Sequence, residues 1–120
     1  MVEIQVPISV GELLDKISIL SIKSQYTDNS YVHKELQDLI TIAKEHQVYD
    51  ASYVSQLLSI NRKLWKIEDD LRVLEKSQLF NQDFIELARS VYITNDQRAR
   101  IKKEINEKYK SNYQEIKVHK

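Results

Sequence analysis

The sequence predicts an all-α fold: a bundle of three to four long helices with a short terminal antiparallel β-ribbon. Three observations predict it. Leu57, Ile60, Leu64, Ile67, Leu71 and Leu74 alternate steps of three and four, a heptad seam with every position filled. One Gly and one Pro in 120 residues leave little material for special backbone conformations, so elements are long and connections short. At the two ends the period changes to two. Val2, Ile4 and Val6 alternate with Glu3 and Gln5, and Tyr113, Glu115, Lys117 and His119 alternate with Gln114, Ile116 and Val118.

Each element follows from local signals. The first strand ends at Pro7, and Ser9-Val10-Gly11-Glu12 reads as a capping box, with Ile8 and Leu13 as its hydrophobic staple. The first helix runs over about 9–25. Its apolar face holds Val10, Leu13, Leu14, Ile17 and Leu20, and Ile19 and Ile22 widen it, so this helix is buried on more than one side. Thr27-Asp28-Asn29-Ser30 is a loop. Val32, Leu36, Leu39, Ile40 and Ala43 then mark a second helix to about Glu45. Asp50 caps the third helix, about 51–77, which carries the seam. Asn81 caps the next, whose inner face is Phe84, Leu87, Ala88 and Val91. Thr94-Asn95-Asp96-Gln97 also matches a capping box, so the stretch 82–110 reads equally as one helix or two. The last strand has the first as its natural partner.

Length and composition fit one helical domain over 1–120. Charged residues are 30% and balance to zero net charge, which argues against nucleic acid, whose binding needs a positive excess. There is no Cys, and His33, His46 and His119 are scattered, so neither a thiolate nor a metal site is expected, and no cofactor. No apolar run is long enough for a signal peptide or a membrane span, and the expected location is the cytoplasm.

Three places offer chemistry. Glu12, Asp15, Glu68, Asp69 and Asp70 are carboxylates on the first and third helices, read as solvated or ion-paired. The amino end of the first helix, with Gly11, is the second, read as a cap because Glu12 repels an anion there. The third is a polar aromatic patch: Asn61, Trp65, Glu68 and Arg72 run down one side of the third helix, and Arg89, Tyr92, Asn95, Asp96 and Arg98 come from the fourth region. Asp15 and Lys16 lie one turn inside the first cap. Guanidinium forks bind carboxylate or phosphate and ring faces stack, so a converged patch suits an anionic or sugar-like ligand. The alternative for these residues is an internal network in which Arg72 pairs with Glu68 and Trp65 finishes the core. The basic residues of the last helix, among them Arg100, Lys102 and Lys103, read as a salt-bridged solvent face.

Four stretches occur in order: Ile8-Ser-Val-Gly-Glu-Leu-Leu-Asp-Lys-Ile-Ser-Ile-Leu20, Asn61 to Arg72 with Leu-Trp-x-Ile-Glu-Asp inside it, Phe84-Ile-Glu-Leu-Ala-Arg-Ser-Val-Tyr92, and Asn95-Asp-Gln-Arg-Ala-Arg-Ile-Lys102. Together they resemble a family of small proteins of unknown function from bacteria and large phages, over nearly the whole chain. Members of that family are often encoded near, or fused to, sugar-transfer enzymes. The resemblance therefore implies glycan or surface-polysaccharide assembly, with a sugar-related ligand or a glycosyltransferase partner, and supplies no catalytic residues. More loosely, the Leu-x-x-Lys-Ile pattern at Leu13–Ile17 is similar to helical chorismate mutases, although the middle helix and the ends depart from them.

The leading expectation is an accessory binding protein whose ligand surface is Trp65, Glu68, Arg72, Arg89, Tyr92, Asn95, Asp96 and Arg98. The alternatives are a small helical enzyme acting on an anionic metabolite, chorismate-mutase-like or nucleotide-processing, with Arg72, Arg89 and Arg98 as anion clamp, and a module for homodimerisation.

Overall fold

The computed structural model describes residues 2–119 and contains four helices in chain order: α1 Val10–Ser24, α2 Ser30–Glu45, α3 Ala51–Lys76 and α4 Gln82–Lys108. Each begins where a polar side chain accepts from an open backbone N–H. Ser9 caps α1 through the N–H of Glu12, Asn29 caps α2 through Tyr31, Asp50 caps α3 through Tyr53 and Asn81 caps α4 through Phe84. Three of them close with a left-handed residue, the conformation that favours Gly. Here it is adopted by Gln47, Gln78 and Lys110, at φ of 58°, 54° and 51°. The next N–H then reaches back across each turn, as Val48 does to the carbonyl of Ala43 at 2.9 Å.

The stretch 82–108 is one helix. Thr94 is 1% exposed in its middle, and Asn95 turns its side chain to Arg98 instead of capping a new start. α1 is central. It packs against each of the other helices, α3 and α4 pair with one another, and α2 lies along α1 alone. Leu14, Ile17, Leu57 and Ile105 are buried in the core that results, with Leu36 and Ala43 brought in by α2. Paired contacts give the directions. Gly11 meets Asn106 and Asp15 meets Arg98, so α1 and α4 are antiparallel; Asp15 meets Asn61 and Tyr26 meets Trp65, so α1 and α3 run the same way.

Lengths are unequal. The 15 residues of α1 span about 22 Å, whereas the 27 of α4 span about 40 Å. The far ends of α3 and α4, about 68–93, therefore stand clear as a two-helix arm. Leu57, Leu64 and Ile67 of the seam are buried, but Leu71 and Leu74 are only half-buried on this arm. Among the described residues no helix is long and apolar enough to cross a membrane.

The terminal β-ribbon does not form: among the described residues there is no strand. The C-terminal tail is laid back along α4 instead, with Glu115 3.3 Å from Lys102 and Lys117 2.9 Å from Asp96. Val2, Ile4, Val6, Ile116 and Val118 all remain exposed, so the period-two pattern has no apolar surface to bury against.

One cluster ties the α3 cap to the end of α4. Asp50 accepts from Lys108 Nζ at 2.8 Å and from the Tyr109 hydroxyl at 2.6 Å. Those two bonds, Lys108 first, hold its carboxyl at about 2, below the usual 3.8. A depressed carboxylate contributes stability above the unfolded-state value and loses it as pH falls through the folded one. Unfolding titrations should therefore show wild type more stable than Asp50→Asn at neutral pH. The gap should narrow between pH about 4 and about 2. A gap that keeps its full size at pH 2 means that the carboxylate charge contributes nothing.

Candidate functional site

Polar residues meet where α1 crosses α4. On α1, Gly11, Asp15 and Ser18 recur at steps of four and three; on α4, Asn95, Arg98, Lys102 and Asn106 recur at three, four and four. Antiparallel packing lays the two stripes together. Asp15, 2% exposed, accepts from Arg98 through both Nε and Nη2, a two-pronged ion pair. Asn61 of α3 donates to Asp15 Oδ1 at 2.9 Å and to Ser18 Oγ at 2.8 Å. Asn95 accepts from Arg98 Nη1 at 3.4 Å. A carboxylate with acceptor capacity filled by three donors is electrostatically complete, and the guanidinium it holds is neutralised.

One turn away, Lys102 is 6% exposed and reaches Glu12 at 2.9 Å. This corrects its reading as part of a solvent face: the flanking acids Glu12 and Glu115 bring its ammonium inside. The amino end of α1 is closed as well. Gly11 N–H donates to Asn106 Oδ1 at 2.7 Å and Val10 N–H to Ser111 Oγ at 3.2 Å, so the donors an anion would use are taken. The only Gly of the chain is needed here. A Cβ on it would stand 2.7 Å from the backbone carbonyl of Lys102.

The eight residues of the expected ligand surface fall into separate places. Arg98 and Asn95 belong to the Asp15 network. Asp96 holds Lys117 of the tail. Trp65 is half-buried and stacks on Tyr26, with ring centroids 5.1 Å apart and planes 10° from parallel. Glu68, Arg72, Arg89 and Tyr92 are exposed on the arm side of the bundle, and no Glu68–Arg72 ion pair forms among the described residues. No hydrogen bond, ion pair or ring contact among the described residues joins Trp65 to Arg72, Arg89, Tyr92 or Arg98.

Two open clefts flank this architecture. The larger, about 560 Å³, lies between the helices of the arm; Val73, Leu74 and Leu87 make its apolar floor, Asp70, Asp83 and Glu86 line it, and no Lys or Arg does. Elsewhere on the arm Phe80, Ile85 and Ile93 are exposed. The smaller, about 200 Å³, sits beside the Tyr26–Trp65 stack. Sequence reasoning missed Tyr26, which stands one residue beyond the α1 cap Gln25 although it continues the Ile19–Ile22 stripe. Arg62 of the same cleft was missed as well, although it lies three residues before Trp65. Among the described residues no group of His, Cys, Asp and Glu is placed to hold a metal ion.

No curated protein and no solved structure matches the chain. A family model does match, over residues 4–119. The four motif stretches all lie inside that span, and the chain belongs to a family of unknown function, DUF6165.

Proposed function

We propose that this protein is a non-catalytic accessory protein that docks a partner through the α3–α4 arm. The observation that carries the reading is the arm itself. The heptad seam runs on past the end of α1, so Leu71 and Leu74 are half-buried, and Val73, 63% exposed, lines one groove together with Leu74 and Leu87. Clustered apolar exposure of this kind marks interaction surfaces. The occupant that fits is an amphipathic helix whose apolar face meets Val73, Leu74 and Leu87 and whose flanking Lys or Arg side chains meet Asp70, Asp83 and Glu86. Of these acids, Asp70 already has a partner in Lys66, at 2.9 Å. A second copy fits worse, because an isologous pair of arms sets these carboxylates against themselves.

The enzyme alternative has less support. Its clamp of three Arg heads is not assembled, since Arg98 is bound by Asp15, and both clefts are open. The resemblance to proteins encoded beside sugar-transfer enzymes makes such an enzyme, in glycan assembly, the partner class to test first.

Two model helices of equal apolar content, one built on Leu and Lys and one on Leu and Glu, test the groove by fluorescence anisotropy. The Lys helix should bind, weaken as salt is raised, and lose at least tenfold affinity to Val73→Glu. Equal binding of both helices overturns the reading. So does a wild-type dimer in light scattering that Val73→Glu dissociates, because the groove then belongs to a second copy.

A further inference from the structure

The cleft beside Trp65 is separate from the arm groove and has its own chemistry. Tyr26 is 68% exposed, so burial does little to hold it, yet its ring lies flat against Trp65. The stack forms an aromatic wall at the rim of a hollow whose base includes Ile22, 2% exposed. Arg62 lines the hollow and makes no hydrogen bond or ion pair among the described residues. Lys66, also on the rim, is paired with Asp70. That leaves Arg62 as the rim cation with an open fork of donors. Asp69, four residues from Trp65 and seven from Arg62, lines the hollow too and is itself in no ion pair among the described residues. Gln25 adds an amide that both donates and accepts.

From this set we infer that the cleft is a binding site for a single-ring aromatic carboxylate carrying a hydrogen-bond donor on the side of the ring away from its carboxylate. The ring lies along the Tyr26–Trp65 wall, an arrangement that aromatic quadrupoles favour when offset. The carboxylate takes the Arg62 fork, and the distal donor is accepted by Asp69. A ligand with a second negative charge at that end is repelled by the same Asp69. The hollow of about 200 Å³ is below the usual range for drug-sized ligands, which selects one ring over two.

Trp65 is the only Trp in the chain, so its indole N–H gives one resolved amide-correlation peak that reports on this cleft alone. Titration with 4-hydroxybenzoate should move that peak along a saturating curve. Benzyl alcohol, which lacks the anion, and cyclohexanecarboxylate, which lacks the ring, should each need at least tenfold higher concentration. Arg62→Gln, a change at an exposed position, should weaken 4-hydroxybenzoate at least tenfold while the rest of the spectrum stays in place. Terephthalate, with a second carboxylate, should bind wild type more weakly than 4-hydroxybenzoate and gain on Asp69→Asn. A peak that does not move up to 10 mM 4-hydroxybenzoate overturns the proposal, as do a non-saturating shift, equal response to benzyl alcohol, and an unchanged response in Arg62→Gln.

Discussion

Replacing Asp15 with Ala should lower the unfolding free energy by about 3 kcal/mol, within the usual cost of breaking a buried ion pair by removing one partner. The loss has two parts. The Arg98 guanidinium, whose side chain is 27% exposed, keeps its charge without a counter-ion; water reaches it in part, which places the effect at the low end of that range. The Asn61 amide loses one of its two acceptors and keeps only Ser18. The double variant Asp15→Leu with Arg98→Met removes both charges and should recover most of the loss, because apolar replacement of a whole buried pair is often neutral. Guanidinium titration of wild type, single and double variants measures this directly. A double variant as unstable as Asp15→Ala means that the pair sets the geometry of the α1–α4 crossing and does more than satisfy its own charges.

The second large effect is in the seam. Leu57 is fully buried within the core cluster, so Leu57→Ala should cost about 3–5 kcal/mol through lost transfer free energy and the cavity left behind. Leu74 continues the same seam on the arm but is only half-buried. Leu74→Ala should cost about 1 kcal/mol, because a side chain already in contact with water loses less and leaves no closed cavity. Urea midpoints at unchanged slope separate the two. Equal losses at both positions mean that the arm is covered in solution, by a second copy or by the tail.

The all-helical class, the seam and the caps were readable in the sequence because each rests on local spacing. Ser9, Asp50 and Asn81 cap where the expected side chains stand, and the widened face of α1 announced a helix with neighbours on several sides. The capping match at Thr94–Gln97 left one helix or two open, because the pattern is local while what decides it is not. Thr94 is buried inside the bundle, Asn95 accepts from Arg98 one turn on and Asp96 pairs with Lys117 of the tail, so these side chains are not free to cap a new start. The ribbon failed for a related reason. Period two states which face a strand would bury, and nothing in the N-terminal segment states against what.

The candidate sites were legible residue by residue and illegible as assemblies. Asp15, Arg98, Asn61 and Asn95 were each marked as notable, and the matching stripes on α1 and α4 stand in the sequence. Their pairing depends on antiparallel register, which no single helix encodes. Lys102 shows the limit best. Its charge and spacing fit a wet surface, and only Glu12 across the crossing and Glu115 on the tail account for its burial. The arm was readable in principle, since a predicted first helix of about 17 residues cannot cover a seam carried by one of about 27.

The α1–α4 crossing also sets an order of events in time. Its bonds join residues 83, 95 and 101 positions apart, as Arg98 to Asp15, Asn106 to Gly11 and Ser111 to Val10. The α3–α4 hairpin is closed by a short turn between Lys76 and Gln82. Closing a short loop costs far less chain entropy than closing one that spans most of the molecule. The hairpin is thus the natural nucleus, and α1 docks late, when α4 already offers Lys102 and Asn106 as a finished surface. Until then the side of α3 that α1 covers, around Leu57, faces water. The newly made chain exposes in full the kind of surface that the finished molecule keeps only on its arm.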